Sequence, residues 1–162
     1  MDLSLTITSS FFVSAIETIG LSITLLTISV IDIRTLRIPD FLSLPLIGVG
    51  LGIAINGTDN FGADHFAGAI VGFLLFAGLG EFYFRLRGVD GLGLGDAKLF
   101  AAAGAWLGWT YLPLILLLAA SGGLVAALLR PETEPNAPLA LGPWIALSLW
   151  LVYIWVCISR NF

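Results

Sequence analysis

The chain has 162 residues, 58% of them hydrophobic and 11% charged, and a mean hydropathy of +1.01. A soluble globular chain carries roughly 25% charged residues, so this composition leaves too little polar surface for water, and lipid is the solvent it fits. The formal net charge of −4 and the lack of a basic run argue against nucleic acid as a partner, and one cysteine, Cys157, excludes a disulfide framework or a multi-cysteine zinc site.

Crossing a bilayer takes about 17–25 apolar residues. Hydropathy predicts helices over 13–34, 41–55, 65–84, 96–109, 111–129 and 141–158. The second and fourth are short, and joining the fourth to the fifth as one broken element would reduce six spans to five. Turn chemistry marks the breaks: Ile38-Pro39-Asp40, Asn56-Gly57-Thr58-Asp59-Asn60, Gly88 to Gly95 and Pro131 to Pro138. With no Pro-rich or Ser-rich linker, a single all-α membrane domain over 1–162 is expected, a bundle of about six transmembrane helices. Residues 1–10 hold no Lys or Arg, which argues against a signal peptide.

Basic residues set the orientation. Arg34 and Arg37 lie between spans one and two, Arg85, Arg87 and Lys98 around the third connection, and Arg130 after span five. Retained Lys and Arg mark the cytoplasmic face of an inner membrane, so both termini are expected outside, with Arg160 the one basic residue there. The loop holding Asp59 and Asp64 has none, as an outside loop should.

Ionisable residues inside spans are costly and therefore functional candidates. Glu17 falls near the outer interface and reads as a snorkelling or capping group. Asp32 closes the first apolar run, beside Arg34, and Pro39 forces a helix end just beyond it. His65 is solitary and reads as an interfacial histidine rather than a ligand. Glu81 stands one turn before Arg85, where an i,i+4 pair accounts for it. Asp96 ends Gly91-Leu92-Gly93-Leu94-Gly95-Asp96 and opens an Ala-rich run. The plain account of Asp96 is an N-cap, and a phosphate-cradling loop lacks the Walker spacing after Lys98. Lys98 is two positions from Asp96, hence on another face, and is assigned to the interface. Cys157 reads as packing.

Asp32 and Asp96 come from separate helices at the same depth and side. Two aspartates held close cannot both ionise readily, so one keeps a proton while the other activates water against an amide carbonyl. Their contact is an assumption at this point. Asp32 ends a helix, where the dipole disfavours negative charge, and Asp96 begins one, so Asp32 is expected to hold the shared proton. Two rivals remain: a small proton- or cation-coupled transporter subunit using the same carboxylates, and an assembly protein whose carboxylates only cap helices.

The segment from Asp32 to Pro39-Asp40, followed by Gly93-Leu94-Gly95-Asp96-Ala97-Lys98-Leu99, resembles the type IV prepilin peptidases, which are GxGD membrane aspartyl proteases. The run Ala102-Ala103-Gly104-Ala105-Trp106-Leu107-Gly108 and the Leu141-Gly142-Pro143-Trp144 opening of the last span look like that family too. The resemblance implies six helices, catalytic Asp32 and Asp96 supported by Gly93, Gly95, Lys98 and Pro39, and no cofactor. It also implies substrates that are prepilins or pseudopilins, cut where a basic leader meets a membrane helix. Asp90 matches an acidic position in long members and is left as a substrate-contact or structural residue. Long members add an N-terminal methyltransferase region, usually with four cysteines. About a dozen residues precede the first span here and Cys157 is the only cysteine, so N-methylation is not expected and the chain reads as the peptidase-only form.

Overall fold

The computed structural model of the chain describes residues 3–56, 61–88, 93–129 and 139–161. Six helices follow one another: α1 (Leu3–Thr35), α2 (Asp40–Asn56), α3 (Phe61–Arg87), α4 (Leu94–Leu107), α5 (Leu112–Leu128) and α6 (Gly142–Asn161). The expected helices are all present, with shifted ends. α1 begins ten residues earlier than hydropathy alone suggests, and α4 begins two residues before Asp96. The join between α4 and α5 is Gly108 and a 3₁₀ turn, Trp109–Tyr111. Asp59, Asp90 and Arg130 lie outside the described residues.

Four stretches are long and apolar enough to cross a membrane: Ala15–Thr35, Gly62–Leu86, Trp109–Leu128 and Gly142–Ser159. α2 is apolar but has 17 residues, and α4 has only 14. At 1.5 Å per residue α4 measures about 21 Å, short of a hydrocarbon core of about 30 Å. It need not face lipid, because it packs on α2, α3, α5 and α6 and nine of its residues are buried. Small side chains make this possible. α3 and α4 meet backbone to backbone: a Cβ on Gly104 would stand 2.1 Å from the Gly68 carbonyl oxygen, and one on Gly72 would stand 2.8 Å from that of Phe100. Such contacts are how helices associate where water offers no hydrophobic drive.

α1 and α6 run antiparallel in a register visible from their polar contacts. The hydroxyls of Thr18 and Tyr153 lie 3.4 Å apart, and the Trp150 indole N–H donates to Ser22 Oγ at 2.9 Å. Each helix buries one stripe: Leu21, Leu25 and Ile28 on α1; Ile145, Leu149, Val152 and Val156 on α6. Extending both stripes by one turn brings Asp32 to Gly142. The chain leaves α1 through Leu36, the one non-glycine among the described residues with positive φ (53°), whose N–H donates to the Asp32 carbonyl at 2.8 Å. A left-handed conformation costs a residue with a side chain roughly 1–2 kcal/mol, and here it turns the chain sharply behind Asp32. Pro39 then holds Ile38 out of the helical region and accepts the N–H groups of Leu42 and Ser43 at 3.2 Å each, starting α2.

Candidate active site

One end of the bundle collects the end of α1 and the starts of α2, α4 and α6. Asp32, in the last turn of α1, is 4% exposed, because it continues the buried stripe set by Leu21, Leu25 and Ile28. A carboxylate there needs a donor. The backbone N–H of Gly142 supplies it, donating to Asp32 Oδ2 at 3.0 Å. This N–H is one of the orphan donors that every helix start leaves, so the beginning of α6 serves the end of α1.

Asp96 is the third residue of α4, not its N-cap. Gly93 occupies the cap position (φ −76°, ψ 145°), and the Asp96 side chain reaches back so that Oδ2 accepts the Gly93 N–H at 3.3 Å. Ile38 lies against both Gly142, which stands beside the Asp32 carboxylate, and Gly95, the neighbour of Asp96, so the fold brings to one corner the two carboxylates that sequence analysis paired. Ile38 fills the space between their supports. A Cβ on Gly142 would stand 2.6 Å from Asp32 Oδ2 and 3.1 Å from Ile38 Cδ1, while one on Gly95 would stand 2.9 Å from Ile38 Cβ. Gly95 therefore admits the close approach of Ile38, whereas a Cβ on Gly93 would meet nothing nearer than 3.6 Å.

The expectation that Asp32 holds the shared proton set the C-terminal end of α1 at Asp32 against the N-terminal start of α4 at Asp96. Folding sets the N-terminal end of α6 against the Asp32 carboxylate. End effects of about 0.3–1 kcal/mol now oppose each other at Asp32, and the α1 end no longer decides where the proton sits.

The remaining candidates have other surroundings. Lys98 Nζ pairs with Asp40 Oδ1 at 2.5 Å, tying the first turn of α4 to that of α2. Sequence analysis assigned Lys98 to the interface and did not anticipate Asp40 as its partner. Pro39 contributes its carbonyl and its rigidity to the same corner. His65 Nδ1 is 2.8 Å from the Ala105 carbonyl oxygen at the opposite end of α4, far from the carboxylates. Arg85 donates to Glu81 at 2.7 Å on an exposed face, the i,i+4 pair expected. Glu17 and Cys157 lie toward the other end of the α1–α6 pair, Cys157 against the core.

Sequence reasoning missed the Gly142 amide and Ile38. The 3–4 spacing of Leu21, Leu25, Ile28 and Asp32 would have shown that Asp32 points inward. Nothing in the sequence says that residue 142 would meet it.

Residues 19–128, which include both aspartates, match the model of the type IV leader peptidase family. A prepilin leader peptidase/N-methyltransferase of Pectobacterium carotovorum subsp. carotovorum is 45% identical over 128 residues, covering 76% of this chain and 46% of its own length. Proteins of the same name from Burkholderia pseudomallei strain 1026b and Escherichia coli K12 are 40% and 44% identical, covering 82% and 76% of this chain and 44% and 56% of their own lengths. The chain thus spans about half the length of the curated relatives it matches. No solved structure matches it significantly. The family match and these identities make the chain a member of the type IV leader peptidase family.

Proposed function

We propose that this chain is an aspartic-type endopeptidase that removes the leader peptide of type IV prepilins or pseudopilins at the cytoplasmic face of the inner membrane. The observation that carries the reading is the convergence of Asp32 and Asp96, 64 positions apart in sequence, at one end of an apolar helix bundle. In the proposed cycle one carboxylate is ionised and takes a proton from water as its oxygen attacks the scissile carbonyl carbon. The other, protonated, donates to the carbonyl oxygen. Collapse of the tetrahedral intermediate breaks the C–N bond, and the proton taken from water passes to the leaving amine.

The site's position supports this substrate class. A leader cut at the membrane boundary requires carboxylates at a bundle end, whereas a transporter's coupling site usually lies near mid-membrane on broken helices. The α3 start lies against the α4 end, through His65 and Ala105, so the last turn of α3 with Arg85 lies at the dyad's end. Arg34 and Lys98 lie there too, and clustered basic residues favour the cytoplasmic side.

The test uses the full chain in proteoliposomes with a prepilin, scored for leader removal by gel mobility and by the new N-terminus. Cleavage by the wild-type chain, lost in Asp32→Asn and in Asp96→Asn, is expected. Full cleavage by either purified variant would remove the assignment. Cysteine labelling at positions 37 and 87 from the cytoplasmic side, and at 60 from the outside only, tests the orientation.

A further inference from the structure

We propose that Gly142 is a positioning residue of the dyad: its backbone N–H fixes the Asp32 carboxylate, and Ile38, wedged between Gly142 and Gly95, sets the spacing of Asp32 from Asp96. The inference rests on the peptidase reading and adds two residues to it.

Three observations converge. First, Asp32 is almost fully buried, and the Gly142 N–H donates to its Oδ2 across 110 positions of sequence. Second, no side chain fits at position 142, since a Cβ there would stand 2.6 Å from that same Oδ2 and 3.0 Å from Asp32 Cγ. Third, Ile38 touches both supports with different atoms: its Cδ1 lies 3.1 Å from the Gly142 Cβ position, and its Cβ and Cγ1 lie 2.9 and 3.4 Å from the Gly95 Cβ position. The pieces form a chain of contact from Gly142 through Ile38 to Gly95, the residue before Asp96.

The chemistry follows from the donor. An N–H is met by a lone pair, so the Gly142 amide holds Oδ2 of Asp32 as an acceptor. The amide belongs to the first turn of a helix anchored by the register of α1 against α6. It restricts rotation of the carboxylate about χ2, a torsion that is otherwise broad. Misplacement by 1 Å of a reacting group can cost about 10²-fold in rate, so this restraint acts on turnover rather than on substrate affinity.

The experiment measures kcat and KM of the full chain on a prepilin for wild type, Gly142→Ala, Gly95→Ala, Ile38→Val and the two Gly→Ala/Ile38→Val doubles, with Gly52→Ala as a control whose Cβ meets nothing within 4 Å. Thermal melting in detergent is recorded for each. Gly142→Ala is expected to lower kcat by about 10- to 100-fold, with KM within about threefold. Ile38→Val removes only Cδ1, which lies 3.1 Å from the added Cβ, and leaves the 2.6 Å approach to Asp32 Oδ2, so it should lower kcat by itself and fully rescue neither glycine variant. Wild-type kcat in Gly142→Ala would overturn the proposal, as would full rescue of either glycine variant by Ile38→Val. If Gly142→Ala fails to fold, Ile38→Val alone decides: a reduced kcat at wild-type melting temperature supports the spacer role, and an unchanged kcat rejects it. Absence of cleavage by the wild-type chain would instead count against the peptidase reading itself.

Discussion

The two aspartates are held by the same kind of bond and by very different means. Asp96 accepts the N–H of Gly93, three residues away, in an exposed helix start, and the local turn alone can make that bond. Asp32 accepts the N–H of Gly142 in a buried site, and that bond exists only once α6 has docked along α1. One half of the dyad is therefore built by local structure and the other by tertiary packing. Damage to the α1–α6 register reaches Asp32 first, whereas damage to the α4 start reaches Asp96 first.

The largest effect expected is on the carboxylates themselves. General acid–base catalysis contributes typically about 10²–10⁴-fold, so Asp32→Asn and Asp96→Asn should each lower the cleavage rate by at least that range while both variants still insert and melt as folded proteins. Unequal losses would show that the two carboxylates do not act as one unit. Equal losses, with no further loss in the double variant, would show that they do.

Next in size is the α3–α4 seam, which positions Asp96 from behind. Gly104→Ala places a Cβ against the Gly68 backbone, where no side-chain rotation relieves it. Overpacking typically costs about 1–3 kcal/mol, occasionally more, so a clear drop in melting temperature is expected. An unchanged melting curve would mean that the helices separate readily and that the backbone contact of α3 with α4 does not hold α4 in place.

The glycines of the GxGD motif sharpen the contrast between local and remote support. Gly95→Ala must displace Ile38 and should reduce turnover by about tenfold, within the cost of a misplaced reacting group. Gly93→Ala keeps the N–H, suits the observed φ and ψ, and meets Asp96 Oδ2 only at ordinary contact distance. It should retain most activity. Kinetics showing Gly93→Ala as impaired as Gly95→Ala would mean that the motif serves flexibility rather than space.

The smallest effect belongs to the Lys98–Asp40 pair. Its Asp40 side chain is 59% exposed, and exposed ion pairs are worth about 0–1 kcal/mol. Lys98→Met and Asp40→Asn should each shift stability by no more than that, with a coupling in the double variant that weakens at high salt. A loss of turnover far beyond the loss of stability would place Lys98 in the chemistry after all.

Much of this protein was legible in its sequence because lipid imposes simple rules. Apolar length and turn residues located six helices, and the basic residues grouped the dyad's connections. The cost of a carboxylate beside lipid marked Asp32 and Asp96 together with Glu17 and Glu81, and the GxGD pattern named the family that the family match bears out. Helix ends were less legible. Hydropathy reports where lipid or protein must be apolar, whereas the starts of α1 and α4 depend on backbone hydrogen bonds that polar residues can also make.

What only the tertiary structure decided is which groups meet. The sequence shows Gly142 before a proline, a fit start for a helix, and Ile38 before another, a residue kept extended. Neither pattern carries information about a partner 110 or 57 positions away. That meeting depends on the register of α1 against α6 and on the backbone contact of α3 with α4. Both are set by complementary surfaces of small and large side chains, and such surfaces exist only when the helices stand side by side. The two candidate aspartates follow from local chemistry, but the closeness that the proposed mechanism needs is a property of the packed bundle.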